Sequence, residues 1–209
     1  MKRVLPIFLL FFSAISNAQI TKGSFLFGGA LSVGHSVSRN PGPDNNGKNS
    51  NFLINPSIGK AIANNTILGV GFKVGHSRSG NSAAKSTSND WDVNAYLRNY
   101  LPIGSGFNLF AQTDAFYRET RMHDSGPTYF NIHHTKAMGL NFQPGLDYAV
   151  SRRFHLELAW NDLFTVSFSN QTTNSSSSGG YVRQKWLTAY TNSGGTNAVV
   201  LGFRLLFSK

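Results

Sequence analysis

Large apolar residues alternate strictly with small or polar ones along most of the chain, the period of a strand whose two faces meet different surroundings. Near the end, Val199, Leu201, Phe203, Leu205 and Phe207 alternate with Val200, Gly202, Arg204 and Leu206. Leu68, Val70, Phe72 and Val74 alternate with Gly69, Gly71, Lys73 and Gly75. Phe25, Phe27, Leu31 and Val33 alternate with Leu26, Gly28, Ala30, Ser32 and Gly34. A soluble sandwich needs bulky residues on its inner face, and glycines flanking a lysine cannot fill one. A narrow barrel in lipid needs the reverse, with bulky residues towards acyl chains and small or polar ones crowding the lumen.

Eight segments carry this pattern, at roughly 23–36, 50–60, 66–77, 90–101, 107–118, 135–148, 154–167 and 196–207. Three connections are short, at 61–65, 102–106 and 149–153. Four are long and mostly rich in Ser, Asn and Gly, at 37–49, 78–89, 119–134 and 168–195. Long and short alternate throughout. The pattern predicts an all-β, eight-stranded antiparallel up-and-down transmembrane barrel, with short periplasmic turns and long external loops. Within the last loop, Gln171 to Gly180 is a low-complexity stretch expected to be mobile. Pro56 and Pro144 fall inside strands, where a missing N–H breaks a ladder bond, and Asn161-Asp162 interrupts the seventh strand. A bulge or a position near the lipid boundary would accommodate each.

The amino-terminal residues read as an export signal. Lys2 and Arg3 precede an apolar run at 4–15 that is too short to span a bilayer, and Ser16-Asn17-Ala18 follows as a cleavage site. Residues 1–18 are therefore assigned to a signal peptide and 19–209 to the barrel, with the mature chain beginning at Gln19. Loss of Lys2 and Arg3 takes the formal charge from +10 to about +8. A basic exported chain meets anionic lipid and polysaccharide before nucleic acid, and no basic helix is present. With only 13% charged residues, the exterior is too poor in charge for a soluble domain. No cysteine is present, so disulfides and thiolate metal sites are excluded.

The stretch from Pro56 through Asn64-Asn65 to Gly71 resembles the second and third strands of small outer-membrane β-barrel domain proteins. These are the porin-like, OmpX/OmpA-type barrels of Bacteroidetes-like bacteria. Tyr96-Leu97-Arg98-Asn99-Tyr100-Leu101-Pro102 resembles the family's aromatic-Arg-Tyr strand end, and Pro144-Gly145-Leu146-Asp147-Tyr148 its Pro-Gly-x-x-Tyr signature. The last strand, Gly202 to Phe207, is similar to its aromatic C-terminal strand, whereas Lys60-Ala61 replaces the usual glycine-side aromatic pair. The resemblance implies fold and outer-membrane location. It carries no single activity, because such barrels include adhesins, enzymes, structural proteins and pores.

Strand parity turns Lys73, Asp92, Arg98, Asp114, Asp147, Glu157 and Arg204 inward, with both signs represented. An eight-stranded lumen has room only for side chains, so these charges are expected to pair, Glu157 with Arg204 and Arg98, and Lys73 with Asp114. Basic residues in the long loops, Arg39, Lys48, Arg78, Lys85, Arg121, Arg183 and Lys185, suit contact with lipopolysaccharide phosphates. Trp91, Trp160, Tyr117 and Tyr148 are expected in interfacial girdles, and Trp186 in a loop. His35, His76, His123, His133 and His134 fall near the external end without metal-ligand spacing. No Gly-x-Ser-x-Gly elbow accompanies them. The expectation is a non-enzymatic barrel with a structural or surface-interaction role, needing no cofactor and no nucleic acid. The alternatives are a narrow porin-like channel for small solutes and a lipid-A-modifying enzyme.

Overall fold

The computed structural model describes residues 20–38, 47–81, 84–160, 162–176, 180–191 and 199–207. The expected signal peptide, its cleavage site and Arg39 lie outside these residues. Ten strand segments are present: β1 Phe25–Ser38, β2 Gly47–Ala63, β3 Thr66–Gly80, β4 Lys85–Gly104, β5 Phe107–Ser125, β6 Phe130–Ala149, β7 Phe154–Trp160, β8 Phe164–Ser175, β9 Tyr181–Thr191 and β10 Val199–Phe207.

From β1 to β6 each strand pairs antiparallel with the next. The near part of β6, Gly145–Ala149, then pairs with β7, and its far part, Asn131–Phe142, with β8. β7 and β8 are thus two halves of one strand. β9 follows β8, while β10 lies between β7 and β1 and closes the sheet where Phe25–Ala30 meet Gly202–Phe207. The result is a closed, eight-stranded antiparallel barrel, with no helix among the described residues. Towards the far rim the zip is incomplete. There, among the described residues, Leu31–Ser38 of β1 pair only with β2, and β9 pairs only with β8.

The external connections differ from expectation. β3 reaches Gly80 and β4 starts at Lys85, while β5 runs to Ser125 and β6 begins at Phe130. Most of the expected loop at 168–195 is strand, and Gln171–Ser175 belongs to β8 rather than to a mobile stretch. Ser, Thr and Asn complete ladder bonds as well as Val does. Only the apolar alternation stops at the lipid boundary, so these polar extensions carry no lipid-facing signal.

No bulge accommodates Pro56, whereas Pro144 and Asp162 lie at the break between β7 and β8. Pro56 has no partner on β3, and the ladder resumes in the same register at Ser57↔Gly71. Pro144 keeps its partner Ala111 on β5, but on its other side it falls between the β7 and β8 ladders. Its missing N–H therefore faces the place where the seventh strand leaves the sheet. At that break Asp162 takes a left-handed φ of 52°, and its carboxylate accepts a hydrogen bond of 2.5 Å from Asn141 Nδ2.

The inward face is lined by glycines where a neighbour needs the room. A Cβ on Gly69 would lie 2.4 Å from Tyr96 Cζ, and one on Gly28 would lie 2.5 Å from Arg204 Cδ. At the turn end Ile20 folds under the barrel, held by Asn65 N donating to its carbonyl at 2.9 Å. It joins Leu26, Ile67, Tyr96, Tyr100, Phe110 and Leu206 in a buried apolar floor.

Candidate functional site

Above that floor the lumen is filled by polar layers. Nearest the turns, Asp147 accepts from Asn108 Nδ2 at 2.7 Å and lies 3.0 Å from His155 Nδ1. In the next layer the Glu157 carboxylate is held between two guanidinium groups. Arg204 Nε donates to Oε2 at 3.0 Å, and Arg98 pairs with Oε1. Tyr100 donates to the same Oε1 at 3.2 Å, and Arg98 Nε donates to Gln112 at 2.6 Å. Ser57 contacts Arg204 from β2, and the Arg98 Cζ lies over the Phe110 ring, 4.2 Å from its centroid. Three strands thus meet at this carboxylate: β7 carries it, β4 brings Arg98 and Tyr100, and β10 brings Arg204.

The third layer differs from the expected pairing. Lys73 lies across the β3–β4 register from Asp92, not beside Asp114. Asp92 instead accepts from Arg118 Nε and Nη2, both at 3.0 Å. Asp114 accepts from Gln112 Nε2 at 2.7 Å. The register explains why Lys73 does not meet Asp114: Asp92 stands between Lys73 on β3 and Arg118 on β5, whereas Asp114 stands opposite Tyr96. Sequence reasoning missed Arg118, His155 and Asp162, although Arg118 shares its parity with Asp114 and His155 with Glu157. Cavities of about 40 and 30 Å³ remain between the layers, room for isolated waters rather than for a solute.

The outer face has the opposite character. From the turns outward, β2 presents Ile58, Ile54 and Phe52, β3 presents Leu68, Val70, Phe72 and Val74, and β4 presents Leu97, Val93 and Trp91. Beyond this belt the same parity delivers cations: Lys48, Arg78, Lys85, Arg121, Lys136, Arg183 and Lys185. Lys48, Arg78, Lys85, Arg121, Arg183 and Lys185 sit on strands, not in loops as expected. Among the described residues Glu119 is the one carboxylate on this face, where Lys136 Nζ lies 3.2 Å from it. Asp90, Asp92, Asp114, Asp124, Asp147 and Glu157 all turn inward, and Asp162 faces Asn141 in the lumen.

Trp91 and Tyr117 meet at 5.7 Å at the external edge of the belt, and Phe107 and Tyr148 at 4.6 Å near the turns. Trp160 faces outward but lies about midway up the barrel, because its strand continues through β8 to Ser175. Trp186 belongs to β9 opposite Ser169, on the inward face, and not to a loop. His35, His76, His123 and His134 face outward, whereas His133 faces the lumen. His133 Nε2 is 3.3 Å from Asp124 and its Nδ1 is 2.9 Å from Thr173 Oγ1. This carboxylate–imidazole–hydroxyl chain opens to the lumen, while a lipid ester would approach from the outer face. No group of three or more His, Asp and Glu suited to a metal ion occurs among the described residues.

The fold is that of an outer-membrane β-barrel. Its likeness to the outer membrane protein OprG from Pseudomonas aeruginosa covers 93% of this chain and 100% of that one, with a TM-score of 0.55 and 13% identity. A major outer membrane protein from Thermus thermophilus matches 88% of this chain and 99% of its own, at 12% identity and a TM-score of 0.45. The translocator domain of the autotransporter NalP from Neisseria meningitidis matches 99% of this chain and 94% of its own, at 11% identity and a TM-score of 0.42. No protein-family model matches the sequence. No curated protein sequence matches it.

Proposed function

We propose that this chain is a non-enzymatic barrel of the outer membrane, of the small OmpX/OmpA-like type, exported on a cleaved signal peptide. Its role is structural or surface-interacting, with its basic outer face against the phosphates of lipopolysaccharide. One observation carries this reading: the sorting of charge between the two faces. Beyond the apolar belt the outward parity is cationic, while all but one of the described carboxylates are turned into the lumen. Solubility alone would mix both signs on a surface, so a one-sign face suits a fixed anionic neighbour. The filled lumen supports a closed barrel over a narrow channel.

The test is unfolding in two kinds of vesicle, one containing phosphorylated lipid A and one purely zwitterionic. The barrel should resist urea better in the first, and the gain should shrink as salt rises. Equal stability in both would remove the lipopolysaccharide reading. Mass spectrometry of lipid A before and after incubation with the protein separates the enzyme alternative, since any loss of an acyl chain or phosphate would overturn the non-enzymatic assignment.

A further inference from the structure

The outer cations are not spread evenly. On neighbouring strands β1 to β4, His35, Lys48, Ser50, Arg78 and Lys85 line one cavity of about 460 Å³ that has no carboxylate in its lining. The register explains how they meet. His35 stands opposite Ser50, Ser50 opposite Arg78, and Lys48 and Lys85 stand on either side of Gly80. Adjacent strands are about 4.8 Å apart, so the two lysines flank Gly80 at roughly 10 Å, with Arg78 two residues below them. Gly80 has no side chain to fill that space. Among the described residues, no hydrogen bond or ion pair involves the side chain of Lys48, Arg78 or Lys85. Lys136 and Arg183, farther round the barrel, do have partners, in Glu119 and in Asn170.

Three unpaired cations gathered round one hollow repel each other until an anion joins them. The position of the hollow names the anion. Below it on the same strands and the same face lie Val33, Phe52, Val74 and Trp91, the upper edge of the apolar belt, with His76 intervening on β3 and Thr87 and Asn89 on β4. A ligand seated here has its phosphate among Lys48, Arg78 and Lys85 and its acyl chains against those four residues.

We infer that His35, Lys48, Ser50, Arg78 and Lys85 form a discrete site for the phosphate of one outer-leaflet glycolipid, at the lipid-facing edge of β1–β4. Arg78 supplies the planar fork that grips two phosphate oxygens, the lysines supply charge, and Ser50 and His35 supply hydrogen bonds. The inference rests on the outer-leaflet reading of the basic face and localises it to one sector.

Native mass spectrometry of the folded barrel, titrated with bis-phosphorylated and with dephosphorylated lipid A, tests it. The wild type should retain one phosphorylated lipid tightly, and removing the phosphates should weaken retention about tenfold or more. Lys48→Gln, Arg78→Gln and Lys85→Gln combined should cause the same loss. A matched set, Arg121→Gln, Arg183→Gln and Lys185→Gln, should leave that tight binding in place. Arg78→Gln alone should weaken binding and Arg78→Lys should recover only part of it, which keeps the test decisive if the triple variant folds poorly. Equal losses from both sets would overturn the discrete site and leave the general basic face standing. No preference of the wild type for phosphorylated lipid would overturn both. Displacement of the lipid by millimolar inorganic phosphate would show a free-anion site and overturn the glycolipid assignment.

Discussion

Glu157 shows how a charge survives inside a barrel this narrow. It is almost fully buried, yet each carboxylate oxygen meets a guanidinium, and Tyr100 adds a hydroxyl. Removing the charge leaves Arg98 and Arg204 buried against each other, so Glu157→Gln should cost about 3 kcal/mol or more of unfolding stability in lipid vesicles. Asp114→Asn should cost far less, because its carboxylate meets only the neutral Gln112 amide. Equal effects in urea unfolding would show that the Glu157 cluster is not a coupled unit. A second test is a double-mutant cycle of Asp92→Asn with Arg118→Gln, for which the 3.0 Å contacts predict a clear coupling energy. The cluster of Glu157, Arg98 and Arg204 was legible in the sequence because parity and equal depth suffice to bring residues on closing strands together. The partner of Asp92 was not. Choosing between Lys73 and Arg118 needs the register on both sides of β4, and a polar strand edge sets no register signal of its own.

At the scale of the strands, two positions separate the lipid-facing pattern from any soluble alternative. Val70 on β3 and Phe203 on β10 are exposed apolar residues in the middle of the belt, flanked by inward Gly69, Gly71 and Gly202. Val70→Arg or Phe203→Arg should cost about 2–4 kcal/mol in a bilayer, as cations at the midplane do. A neutral result at both would mean that this face does not meet acyl chains. The seventh strand offers a different test. Asp162 holds a left-handed conformation at the break between β7 and β8, so Asp162→Gly should be tolerated better than Asp162→Val, which should destabilise by about 1–3 kcal/mol. Similar effects from both, read by heat-dependent gel migration, would remove the role given to that turn. The belt portions of the strands were evident from alternation alone. The extensions of β5, β6, β8 and β9 were not, since polar and charged residues fall on both of their faces and leave no steady hydropathy contrast to mark one.

For the molecule as a whole, the decisive question is whether anything passes through it. Three barriers lie in series along the axis. Ile20, Leu26, Ile67 and Leu206 close the turn end with apolar side chains, and the Glu157 cluster crosses the lumen above them. Asp92 with Arg118 forms the third barrier nearer the outside. An ion would have to shed water at the apolar floor and break a buried ion pair at each charged layer, passing cavities of about 40 and 30 Å³ that hold isolated waters. Any one of these suffices to stop steady conduction. The wild-type barrel should therefore show no sustained current in planar bilayers, while still migrating as a compact folded species when unheated. Removing one layer should not open it: Asp92→Ala with Arg118→Ala should remain silent, because the floor and the Glu157 cluster stand intact. Steady, ohmic conductance from the wild type would refute the closed lumen. Conductance appearing only in the Asp92–Arg118 variant would move the seal to that layer and show that the two nearer the turns are permeable.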